Sequence, residues 1–70
     1  MSGRGSSAYA LLEGVYYRCS PDRIPDLVSR GAVRVPWSNP ELKRVMARRS
    51  SRWVSVPNMR WAQRLHVVED

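Results

Sequence analysis

The sequence predicts a small single-domain α+β protein with a short three-stranded sheet, one main helix, a flexible N-terminal arm and a C-terminal tail. Three observations point there. The chain has 70 residues and is 43% hydrophobic, which suffices for one marginal core. Short β-branched and aromatic runs alternate with stretches that carry helix-start signals. Prolines and glycines punctuate the joins.

Residues 1–7 contain two Gly, three Ser and one Arg, with Met1 as the single apolar side chain. Such a segment buries too little to order itself, so it reads as a flexible arm ahead of a folded core over 8–57. The run YALLEGVYYRC over 9–19 is interrupted by Gly14. Its first half suits a helical turn, and Val15-Tyr16-Tyr17 has strand character. Ser20 to Gly31 reads as a turn leading into a short helix, with Pro25 in the first turn and Gly31 as the stop. Ala32 to Val35 reads as a strand closed by Pro36.

The strongest helix signal follows, over about residues 39–49. Ser38 and Glu41 stand at capping-box spacing, and Pro40 is tolerated in a first turn. Leu42, Val45, Met46 and Arg49 repeat at i, i+3, i+4 and i+7, so they share one face, with Leu42 and Met46 expected in the core. Arg52 to Val56 reads as the third strand, stopped by Pro57. Residues 58–70 form the C-terminal arm, helical or irregular, where Met59, Ala62 and Leu65 would share one side of a short helix.

Charge is unevenly placed. There are 12 Lys and Arg against 6 Asp and Glu. Residues 1–41 nearly balance, whereas 42–68 hold Lys43, Arg44, Arg48, Arg49, Arg52, Arg60 and Arg64 without one acid. Codon usage in a G+C-rich genome explains a preference for Arg over Lys, but it does not empty a segment of carboxylates. This asymmetry favours a partner of negative potential, either nucleic acid or an acidic protein surface. A solvated basic face without a partner is the plainer alternative.

Enzymatic function is not expected. Cys19 and His66 are single representatives of their types, too few for a zinc set and unsupported by any nucleophile motif. Asp22 and Asp26 suit a helix N-terminus better than an acid–base pair. No cofactor, metal or small-molecule substrate is implied. A lone Cys, no signal-peptide pattern and no apolar run of spanning length lead to the expectation of a cytoplasmic protein with no membrane partner. A helix-turn-helix reader of DNA is disfavoured, because a strand and two prolines separate the candidate helices.

The remaining chemistry pairs Arg with Trp. Trp supplies flat apolar surface, and Arg supplies a planar fork for carboxylate or phosphate. Lys43, Arg44, Arg48, Arg49, Arg52, Trp53, Arg60 and Trp61 are therefore the candidate partner-binding residues. With no Phe in the chain, Trp37 and Trp53 are also wanted in the core, and Trp53 or Trp61 is the candidate apolar anchor. In size, in its tyrosine-rich start and in its Arg- and Trp-rich second half, the chain resembles small phage-encoded transcription regulators of the Xanthomonas phage antitermination and initiation-inhibitor type. That resemblance spans the whole chain and rests on no short motif. It implies a protein partner, host RNA polymerase, with direct DNA or RNA binding by the same basic residues as the alternative. A structural or assembly role is a third class.

Overall fold

The first hairpin is built from Ala8–Leu12 (β1) and Val15–Cys19 (β2), which pair antiparallel from Ala8 opposite Cys19 to Leu12 opposite Val15. Glu13 and Gly14 join them with φ of 52° and 80°. Two consecutive residues at positive φ are the mark of a type I′ turn, whose twist matches that of the flanking strands. In the computed structural model, which describes residues 7–67, the chain then makes a 3₁₀ turn at Pro21–Arg23 and the helix α1, Ile24–Ser29. Pro25 does lie in the first turn, and Gly31 follows at φ 106°.

Val33–Val35 (β3) returns along the outer side of β1. The helix α2, Pro40–Met46, is capped by Asn39, whose side-chain oxygen accepts from the backbone N–H groups of Glu41 and Leu42 at 2.9 and 3.0 Å. Ser51–Val56 (β4) and Met59–Val67 (β5) form the second hairpin, which docks through β5 on β2. The result is one five-stranded antiparallel sheet in the order β3-β1-β2-β5-β4.

Residues directly opposite in an antiparallel sheet share a face, and neighbours along a strand alternate. One face therefore carries Ala8, Ala10, Cys19 and Ala62, all buried, and α1 covers it with Ile24 and Leu27. The other face carries Tyr9, Val35, Arg18, Gln63, Leu65 and Trp53. The helix α2 belongs to this second face. Its Glu41 acts on Tyr16, a member of that face, and the Ser51 hydroxyl on β4 donates to the Val45 carbonyl at 2.6 Å. Each face is thus covered over part of its area by one short helix.

The expected three-stranded sheet with one main helix is corrected by these observations. There are five strands and two short helices among the described residues. The first half of the 9–19 run is β1 and not a helical turn, because Glu13-Gly14 closes a hairpin rather than ending a helix. The expected C-terminal tail is β5, the longest strand, through residue 67. Its apolar spacing imitates a helix for a physical reason. Ser55 faces Gln63 while Val56 faces Met59, so Arg60 to Ala62 are extra residues on β5 and the alternation of faces is broken there. Met59 and Ala62 consequently fall in the same core cluster, while Leu65 is buried on the opposite face.

The helix expected over 39–49 ends at Met46, with Ala47 as its C-cap. Its cap is Asn39 and not Ser38. Arg48 and Arg49 lie in the turn that follows. Apart from Ser7, the arm expected over 1–7 lies outside the described residues.

Leu42 is fully buried, with 0% exposure, and it is the one buried residue of α2. Replacing it by Ala removes most of the apolar side chain and leaves a cavity that the second face cannot refill. Leu42→Ala is expected to lower unfolding free energy by about 2–5 kcal/mol, read as a shifted urea midpoint at unchanged slope. A midpoint equal to wild type would contradict the inward orientation of α2.

Candidate functional site

The predicted basic residues separate into two groups. Lys43 and Arg44 are exposed on α2, and Arg48 and Arg49 are exposed in the turn leading to β4. Arg52 is exposed on β4, an edge strand, and pairs with His66 on the face opposite α2. This first group forms a band that runs along α2 and its following turn, then around the sheet edge. Arg60 and Trp61 lie at the other end of β5, beside α1. They do not join the band.

Sheet pairing adds residues that the sequence did not single out. Arg34, Ala10, Tyr17, Arg64 and Val54 stand opposite one another in a single row across all five strands. Arg34 and Arg64 are exposed, and Tyr17 is half-buried between them. Arg52 and His66 make the adjacent row. The helix α1 packs on this same face, where Ala8, Ala10, Cys19 and Ala62 are buried and Leu12 and Tyr17 pack against them. Arg34 and Arg64 therefore stand as exposed cations at the margin of the core, in which Ala10 is fully buried and against which Tyr17 packs.

The three tryptophans have different surroundings. Trp53 is half-buried on the second face, with the Tyr9 ring 5.9 Å away and the Arg18 guanidinium 4.7 Å from its centroid. Arg18 is also held by Gln63, whose Oε1 accepts from Nε at 3.0 Å and from Nη2. Trp61 is half-buried and packs against the α1-side core, with the Arg23 guanidinium 5.4 Å from its ring. Arg23 in turn meets Asp26 at 3.2 Å. Trp37, expected in the core, is instead 61% exposed, with the Lys43 ammonium 4.9 Å from its centroid.

Tyr9, Arg18 and Gln63 were invisible to sequence reasoning because their proximity depends on register. Trp37 left a readable signal. It stands between Pro36 and Pro40, and its turn is closed by the Asn39 N–H donating to the Pro36 carbonyl at 3.0 Å. A residue in so short a Pro-flanked turn has little chain on either side with which to be covered.

Cys19 and His66 do not meet. Cys19 stands opposite Ala62, and four further residues of extended chain place His66 about 13 Å beyond that point. Burial pushes the Cys19 thiol above its ordinary pKa, the Asp26 carboxylate adds to the rise, and Arg23 opposes it. Tyr16 is also raised, by burial and then by Glu41. No three His, Cys, Asp or Glu side chains gather into a metal-binding group among the described residues. None of the helices described is long and apolar enough to cross a membrane.

No family model, curated protein or solved structure matches the chain.

Because its pKa is raised in the folded state, the Cys19 thiol stays protonated where an unfolded thiol ionises. Its stabilising effect is complete below the unfolded thiol pKa and is lost as pH rises towards the folded value. Alkylation by iodoacetamide near pH 8 is expected to be slow in the native protein and fast in urea. Equal rates in the two states would show that Cys19 is not shielded.

Proposed function

We propose that the protein is a non-enzymatic binding module that holds nucleic acid on its basic surface. One observation carries this reading. The described residues include eleven Lys and Arg against Glu13, Asp22, Asp26 and Glu41, and Arg23 is the one cation among them in an ion pair. The other ten are not paired with a carboxylate within the described residues.

Arg44 and Arg48 are four positions apart in and just beyond α2, so their charges raise each other's energy in the free protein. A phosphate backbone relieves such repulsion and releases its own condensed counterions, which is a sequence-independent source of affinity. Arg suits that task because its planar fork can meet two phosphate oxygens at once. The band from Lys43 to Arg52 continues onto the α1-side face through the exposed Arg64. A flexible strand can follow that path around the edge of β4.

Docking on host RNA polymerase is a second proposal. Val33 supports a protein partner, since it is 66% exposed on the outer strand β3. The indoles first considered as its apolar anchor, Trp53 and Trp61, are already engaged by Arg18, Tyr9 and Arg23. Geometry therefore favours a partner that reads charge first.

If about six phosphates are met, affinity for DNA should fall by around three decades between about 50 and 200 mM salt. Reversing charge in the double variant R44E/R48E should weaken binding and lower the log–log salt slope by about two. Fluorescence anisotropy across a salt series measures both. Affinity that is indifferent to salt, alongside a tight complex with purified polymerase, would instead establish the second proposal.

A further inference from the structure

We infer that Trp37 is a base-stacking platform, and that the nucleic acid held by this protein is single-stranded. The inference rests on the nucleic-acid reading above and names the form of the ligand. It starts from the exposure of the ring. An indole that is 61% exposed forgoes most of the apolar burial that would stabilise so small a domain. Pro36 and Pro40 bracket the turn that carries it, and Asn39 caps α2 directly after it.

Those same constraints hold the ring in place. The Asn39 N–H to Pro36 carbonyl bond closes the turn, and proline fixes φ at either end. The backbone that carries the ring is therefore restrained before any ligand arrives, which lowers the cost of ordering it on binding. Lys43 lies 4.9 Å from the ring centroid, so a cation stands against the indole and most of the remaining surface faces water.

Chemistry then selects the occupant. A nucleobase stacks on indole whatever its identity, since every base has a π-face, and its phosphate carries the charge that Lys43 and the band beyond it lack. A base paired inside a duplex is stacked on both sides and cannot reach the ring. An apolar protein pocket would bury the indole equally well, but it would leave Lys43 desolvated beside it without a counter-charge.

The test compares an oligothymidine of about 12 nucleotides with a duplex of equal length, using the full chain at low salt. Trp37→Ala should weaken binding to the single strand by about 5- to 150-fold, the range set by losing one stacked base. Duplex affinity should stay within about twofold of wild type. W37F should restore most of the single-strand affinity and abolish the part of the tryptophan fluorescence quench that Trp37 contributes. Far-UV circular dichroism and a thermal melt check that both variants stay folded.

Equal losses on the two ligands, or a single-strand affinity and quench that survive in both variants, would overturn stacking by Trp37. The charge reading would stand in that case provided R44E/R48E still loses affinity for both ligands. If wild type binds neither ligand even at low salt, the nucleic-acid reading fails and the stacking inference fails with it.

Discussion

Three residue pairs between β2 and β5 hold the two halves of this molecule together. Tyr17 faces Arg64, Arg18 faces Gln63 and Cys19 faces Ala62. On one side of this ladder stand β3, β1 and β2, and on the other stands a two-stranded hairpin, which is marginal in water by itself. The ladder closes late in the chain, since Arg18 and Gln63 are 45 positions apart, and that loop entropy must be offset by what the pairing buries. Small side chains make the offset possible. Ala8, Ala10, Cys19 and Ala62 leave room for Ile24 and Leu27 to sit close on the sheet. On the reverse face the guanidinium of Arg18 spans the same joint, bonded to Gln63 and stacked on Trp53. The joint is thus apolar on one side and a polar-aromatic clamp on the other.

That arrangement constrains where charge can go. With one face partly taken by α1 and the other by α2, the exposed cations lie on helix surface, in turns and at outward strand positions. Among the described residues all but Arg23 are without a carboxylate partner, and self-repulsion among them subtracts from a stability that is already limited by size. Exposure softens the cost, because water screens charges that lie beyond about 8–10 Å at physiological salt. A surplus tolerated in this way remains available to an anionic partner. On the nucleic-acid proposal, the feature that weakens the free fold would supply the affinity of the bound one.

Some of this was legible in the sequence. The alternating or β-branched runs at Val15–Tyr17, Val33–Val35 and Arg52–Val56 do lie in strands, and Pro25 and Pro40 do open helices. The two missed strands, β1 and β5, have one origin. Periodicity reads a single chain segment, whereas β1 and β5 owe their conformation to partners elsewhere. The β1 run Ala8–Leu12 is apolar at every position, because Ala8, Ala10 and Leu12 face α1 while Tyr9 and Leu11 face the other way, so no alternation shows. In β5 the irregularity opposite Ser55–Val56 puts buried residues three apart, which is the signature of a helix. The candidate site was legible only as charge. Which arginines share a surface depends on strand order, and no local pattern announces that Arg34 and Arg64 flank Tyr17.

The three indoles bring these threads together. In a chain short of carboxylates, aromatic faces are the next partner for a cation, and such contacts contribute about 0.5–2 kcal/mol according to desolvation. Each tryptophan has one: Arg18 on Trp53, Arg23 on Trp61 and Lys43 on Trp37. Two of these rings also serve the packed interior. Trp53 supports the clamp across the β2–β5 joint, and Trp61 seals α1 against the core. The third is placed by a Pro-flanked turn at the start of α2, where it stays 61% exposed among the described residues. Its cation is the first residue of the basic band. The fold therefore uses one interaction twice to stabilise itself, and leaves the third instance open at the point where the band begins.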